Sequence, residues 1–240
     1  RRSSDLASWA EWQEAYLRTF VERDLPRFDL RASAMEMRRF MTMLAHLHGG
    51  LLNASELGRA LGVNYHTVQH YLDIAEGHYL VRRLQPWSGN LGKRLTRSPK
   101  VYIRDSGMLH HLLGIGGARD LLSSPKRGFS FEGCMIEQIV TIEQLRRPGV
   151  SFSFFRTHAG AGIDLVVQRA AADSAGYEFK SAYAVNPRDG SALRAAVRDG
   201  VIHRGCVVYL GERTLPLSET VSARGAEELL RSLQQGADTS

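Results

Sequence analysis

Two apolar runs near the middle of the chain, each carrying a carboxylate, constrain its fold most. Gly162-Ile163-Asp164-Leu165-Val166-Val167 puts an acid at the head of one strand-like run, and Tyr177-Glu178-Phe179-Lys180 forms the next. Asp164 and Glu178 are 14 residues apart, a spacing that fits two neighbouring antiparallel strands joined by a loop. Strand alternation places Glu178 and Lys180 on one face and Phe179 in the core on the other. An aspartate followed by Glu-x-Lys is the residue set of metal-dependent phosphodiester hydrolysis. A divalent ion neutralises the developing charge, a nearby water attacks, and a cation steadies the phosphate. Mg²⁺ or Mn²⁺ takes oxygen ligands and keeps several waters, so Asp164, Glu178 and a backbone carbonyl are enough to hold it. Lys180 would orient or deprotonate the water, or hold the phosphate.

A helix preceding these strands supplies a further acid. It spans Phe131 to about Arg146, with an apolar stripe of Met135, Ile139 and Ile142. Glu132 lies beside that stripe, Glu143 sits near the same edge, and Glu137 points away, so Glu132 is the expected fourth catalytic residue. Strands follow at 151–156, 163–169 and 177–181, then a helix at 187–199, a strand at 206–210 and a last helix near 224–234. The order is αβββαβ with a final helix added. Glu-x-Lys alone is common, as is an acid at a strand start. Their conjunction with Glu132 and this element order carries the reading.

The first half has a different pattern. A helix over 8–25 stops near Pro26. A second, from about Ala34 to His48, carries Met37, Phe40, Met41, Leu44 and Leu47 at three- and four-residue spacing and stops at Gly49-Gly50. Asn53 then caps a helix with Glu56 three residues on, Ala60 is small at the helix crossing, and Gly62 gives the turn. Asn64 caps the next helix, Tyr65 to Glu76, with Val68 and Leu72 inward and Tyr65, His66, Gln69 and His70 outward. This is a helix-turn-helix layout. Extended segments at 79–87 and 100–104 flank a turn, which reads as a wing. Arg82, Arg83, Lys93, Arg94, Arg97 and Lys100 are its candidate phosphate contacts. A short helix, 108–113, closes this part, and 114–128 reads as a flexible connection.

The chain has 240 residues and a formal net charge of +6, with a sequence pI of about 9.6. That favours a polyanion such as DNA as partner. Cys134 and Cys206 lie in apolar runs without a Cys-x-x-Cys, and read as reduced core residues of a cytoplasmic protein. No run is long and apolar enough for a membrane helix. The His66/His70 pair has no third ligand at useful spacing, and His46/His48 and His110/His111 lack acidic or cysteine partners, so all are taken as surface or structural. Trp9 and Trp12 are expected to pack against a neighbouring domain. A homo-oligomer is left open.

The chain resembles the uncharacterised C-terminal domain family attached to prokaryotic AAA+-type ATPases. The resemblance rests on Trp12 through Asp24, on Ser55-Glu56-Leu57-Gly58 with Thr67-Val68 and Tyr71-Leu72, and on Lys93-Arg94-Leu95 with Ser98-Pro99-Lys100-Val101-Tyr102. It continues in Asp105-Ser106-Gly107-Met108-Leu109, Phe131-Glu132, Arg156-Thr157 and Glu178-Phe179-Lys180. It implies an α/β (α+β) chain: a helical segment over 1–30 adjoining an ATPase domain missing here, a winged helix-turn-helix over 31–115, and a PD-(D/E)XK restriction-endonuclease-like αβββαβ domain over 130–235. It implies catalytic roles for Asp164, Glu178 and Lys180, supported by Glu132. The chain has no Gly-x₄-Gly-Lys-Ser/Thr, so no ATP site of that type is expected in it. It begins with Arg1 rather than Met, as a piece of a longer protein would. It departs from the family where Gly162 stands at the usual glutamate two residues before the aspartate. The readings that follow are a DNA-binding nuclease module of an ATPase, or an inactive nuclease fold that binds DNA or protein and regulates it.

Overall fold

A computed structural model describes residues 2–19, 33–89, 97–156, 162–186 and 188–236. The chain divides into two compact units, Arg1–Arg83 with Val101–Ser130, and Leu84–Lys100 with Phe131–Ser240.

The first unit is mainly helical: α1 (Arg2–Thr19), α2 (Ala34–Leu47), α3 (Ala54–Leu61), α4 (Tyr65–Gly77), α5 (Ser106–Leu112) and α6 (Ala118–Ser123), with a two-stranded sheet of β1 (Val81–Leu84) and β2 (Lys100–Ile103). Local chemistry sets the helix starts. Ser33 and Glu36 form a reciprocal capping box on α2, whose Met37, Phe40, Met41 and Leu44 are fully buried. Asn53 caps α3 through the Glu56 N–H, and Asn64 caps α4 through the Thr67 N–H. Gly62 ends α3 with φ at +77°, a left-handed conformation that glycine adopts without steric cost. The small residue at the α3–α4 crossing is Gly58, not Ala60. Ala60 is exposed, whereas a Cβ on Gly58 would stand 2.8 Å from the Val63 carbonyl oxygen and 3.3 Å from Val68 Cγ2.

Several boundaries differ from expectation. The first wing strand is shorter than 79–87, because Tyr79 takes φ +60° and interrupts the extended run. The connection over 114–128 contains α6 rather than being featureless. The end of the first helix near Pro26, and the wing turn with Lys93 and Arg94, lie outside the described residues.

The second unit has α7 (Arg127–Arg146), which begins in the first, then β3 (Ser151–Arg156), β4 (Gly162–Ala170), β5 (Asp173–Lys180), α8 (Ser191–Arg198), β6 (Arg204–Tyr209), β7 (Leu215–Pro216), β8 (Val221–Gly225) and α9 (Ala226–Gln235). The six-stranded sheet runs β3-β4-β5-β6-β8-β7. The first three strands are an antiparallel meander, and β6 joins β5 in parallel after the α8 crossover. This is the αβββαβ order, extended by β8 parallel to β6 and by the short β7. Leu193 and Ala196 of α8 pack with Ile163, Val166, Val207 and Val221. Residues 85–87 cover the outer edge of β3: Phe154 N–H donates to the Gln85 carbonyl at 3.0 Å and Trp87 N–H to the Phe154 carbonyl at 2.7 Å. Pro86 between them needs no donor there, as suits an edge.

On α7 the expected stripe is buried, as are Ile136 and Val140. Two expectations for this helix are corrected. Glu137 is buried rather than pointing away, and Cys134 is exposed rather than in the core; Cys206 is buried in β6. Among the described residues no helix is long and apolar enough to cross a membrane.

Candidate functional site

Asp164 and Glu178 are brought together by strand register. Leu165 pairs with Tyr177 across β4 and β5, so the adjacent Asp164 and Glu178 stand side by side on the opposite face. Alternation then returns Lys180 to their face and buries Phe179. Asp164 Oδ2 accepts the Phe179 backbone N–H at 3.2 Å, which fixes the carboxylate across the ladder. The close β3–β4 pairing also accounts for Gly162: a Cβ there would lie 2.9 Å from the Phe155 carbonyl oxygen, so a glutamate at this position would force the strands to shift.

Glu132 reaches the same place from α7, and the group that joins it to Asp164 is Lys100. The Lys100 ammonium donates to Glu132 Oε1 at 2.9 Å and to Asp164 Oδ1 at 3.1 Å. Only 8% of the lysine side chain and 10% of the glutamate side chain are exposed, so this is an interior ion triad. Nζ also lies 5.6 Å from the centre of the Phe154 ring. Burial works against the lysine's charge, but Glu132 and Asp164 outweigh it and hold its pKa above the ordinary value. Lys100 therefore differs from its expected place among the exposed phosphate contacts of the wing. The sequence signal was slight: a lysine opening the apolar run Val101-Tyr102-Ile103.

A second pair lies beside the triad. Lys180 Nζ is 2.8 Å from Glu178 Oε1. Glu178 Oε2 is buried and has no hydrogen-bond partner among the described residues. Burial pushes the Glu178 carboxyl up, against the pull of Lys180. Burial likewise opposes the Lys180 charge, and Glu178 more than compensates, so the ammonium's pKa is raised. A cleft of about 210 Å³ is lined by Lys100, Asp164, Glu178, Lys180 and the aromatic rings of Phe154 and Phe155.

The donor set can be tested against the divalent ion that the resemblance implies. All the candidate ligands are hard carboxylate oxygens, which suits Mg²⁺ or Mn²⁺. Their availability does not. Both Asp164 oxygens are engaged, Glu132 faces the lysine, and only Glu178 Oε2 is open. Among the described residues no three His, Cys, Asp or Glu side chains are grouped to hold a metal ion. With Lys100 between Glu132 and Asp164, the side chains as they stand do not fit a divalent ion.

The expected nucleic-acid face is on the first unit. Tyr65, His66 and His70 are exposed on α4, Gln69 and Arg82 are half-buried, and Arg97 is exposed. Lys93 and Arg94 lie outside the described residues. Arg83 is turned inward: it donates to Glu76 through Nε at 2.6 Å and to Asp73 through Nη2 at 2.8 Å. On α1, Trp9, Trp12 and Tyr16 form an exposed ladder of stacked rings, with centroids 5.2 and 5.5 Å apart. Of the histidines read as structural, His48 is buried and His110 bonds Ser130.

Residues 1–119 match a domain of unknown function, DUF8612, and residues 127–229 match another, DUF4143. Uncharacterized proteins of Mycobacterium bovis and Mycobacterium tuberculosis are each 41% identical over 221 residues, covering 92% of this chain. The chain spans 48% of the length of each relative. No solved structure matches the chain.

Proposed function

We propose that this chain is the DNA-binding C-terminal part of a prokaryotic AAA+-type ATPase, with a restriction-endonuclease-like domain that serves as a scaffold rather than a cutting enzyme. The observation that carries the binding half is the helix-turn-helix of α3 and α4, whose exposed Tyr65, His66 and His70 offer stacking and hydrogen-bonding groups at the start of the recognition helix. Arg83 neutralises the two acids farther along α4, so that helix does not repel a polyanion. The net charge of +6 and the exposed Arg97 agree with phosphate contact. The ATPase assignment draws on the motif resemblance and on relatives about twice as long as the matched segment.

The non-cutting half follows from Lys100. A centre whose acids are engaged by lysines is poorly placed to take up Mg²⁺ and generate a nucleophile. A protein-binding regulatory role is a second reading, favoured by the exposed ladder of Trp9, Trp12 and Tyr16.

Fluorescence anisotropy of labelled single-stranded, duplex and branched DNA over a salt series tests the binding half. Binding should weaken as salt rises, and Tyr65→Ala with His70→Ala should reduce affinity roughly tenfold. Absence of salt-sensitive binding to every substrate would overturn it. Metal-dependent cleavage lost in both Asp164→Ala and Lys180→Ala would overturn the scaffold half.

A further inference from the structure

The Glu132–Lys100–Asp164 triad sits at the meeting point of a helix and two different strands, held by each. Carboxylates so enclosed require a cation, since a buried unpaired charge is costly. Glu178 adds a third carboxylate to the same cleft wall as Asp164, with one oxygen unpartnered among the described residues. The three acids come from α7, β4 and β5, so their positions are set by packed elements rather than by a loop.

We propose that Lys100 is the resident cation of this centre: its ammonium takes the place of a divalent ion, and removing it converts Glu132, Asp164 and Glu178 into a binding site for a hard divalent cation. The inference goes beyond DNA binding by the helix-turn-helix and does not depend on it. Three features support it. The donors that would be released are all carboxylate oxygens, the set preferred by Mg²⁺, Mn²⁺ and Ca²⁺. Loss of a four-carbon side chain and its ammonium enlarges an existing cleft of about 210 Å³, making room for an ion with its waters. Asp164 remains oriented without the lysine, because the Phe179 N–H still holds its other oxygen.

The test is the thermal stability of the full chain with and without millimolar Mn²⁺, together with calorimetric Mn²⁺ titration, for wild type, Lys100→Ala, Lys100→Arg and Lys100→Ala/Asp164→Asn. Wild type and Lys100→Arg should show no binding at this centre. Lys100→Ala should melt lower, bind one Mn²⁺, and recover roughly 5 °C in its presence. The double variant should lose that recovery. Mn²⁺ binding by wild type that Asp164→Asn abolishes would overturn the proposal, because metal and lysine would then coexist. So would a Lys100→Ala chain that gains no Mn²⁺ binding, or one that stays unfolded with Mn²⁺ while Lys100→Arg folds. None of these outcomes bears on salt-dependent DNA binding, which fails or stands separately.

Discussion

Arg83 donates through Nε to Glu76 at 2.6 Å, which pins the first wing strand to the last turns of α4. The Arg83 backbone N–H adds a bond to the other oxygen of that carboxylate at 3.0 Å, and Nη2 reaches Asp73. Arg83→Ala releases both acids on the recognition helix. The expected result is a stability loss of about 1 kcal/mol, since Asp73 is well exposed. DNA affinity should fall roughly tenfold at low salt and less at high salt, as screening removes the new repulsion. Anisotropy and melting curves read the two effects separately, and an unchanged affinity would place the binding face elsewhere.

Gly58 sets the closeness of α3 and α4. A methyl group there meets the Val63 carbonyl oxygen at 2.8 Å, and a backbone atom cannot rotate aside. Gly58→Ala should cost about 1–3 kcal/mol in a denaturant titration despite alanine's better helix propensity. Ala60→Gly, on the exposed side of α3, should cost about 1 kcal/mol through propensity alone. Equal losses at the two positions would contradict the packing described.

In the second unit Arg169 and Glu143 form an enclosed ion pair, with side-chain exposures of 2% and 5%. Arg169→Ala leaves Glu143 buried without its guanidinium and should cost about 3–5 kcal/mol. Replacing both, Arg169→Met with Glu143→Leu, should restore most of that loss, because an apolar pair has no charge to desolvate. A double variant as unstable as the single would show that the geometry, rather than charge burial, is what the pair supplies.

Glu14 links α1 to α2 and α5 through Arg38 and His111. The hydrogen bond from Arg38 lowers its pKa, burial opposes this, and His111 assists; the result is about 2 against the ordinary 4.5. A carboxyl lowered by folding stabilises the protein above its unfolded pKa, and that contribution disappears as pH falls from about 4.5 towards about 2. Wild type should therefore lose melting temperature more steeply over that window than Glu14→Gln. Solvent exposure limits the difference to about 1 kcal/mol. Parallel curves would remove Glu14 from the account.

Much of this architecture is legible in residue order because short-range rules govern it. Asn53 and Asn64 cap their helices, and the spacing of Asp164 and Glu178 gives neighbouring strands, because capping and alternation act over a few residues. Glu132 is found from helical periodicity for the same reason. Lys100 is not, since nothing in its neighbourhood announces partners 32 and 64 residues away. A lysine after Pro99 in a basic turn looks like any exposed wing cation. Gly58 and Ala60 differ by two positions on one helix, and only the packed partner decides which is confined. The β8 strand, Val-Ser-Ala-Arg-Gly, has too little apolar content to stand out before its pairing with β6 is known.

The path of the chain has a consequence for dissecting it. Residues 84–100 leave one unit, contribute an edge segment and a lysine to the other, and return before Val101. The two units are interleaved, so no single cut separates them. A fragment beginning at Phe131 would retain Glu132, Asp164 and Glu178 but lose Lys100 and the backbone that covers Phe154. Its acidic cluster would lack that lysine and the outer edge of β3 would be bare, inviting pairing with another chain. Cutting activity or self-association measured on such a fragment would describe the severed piece and not the protein it came from.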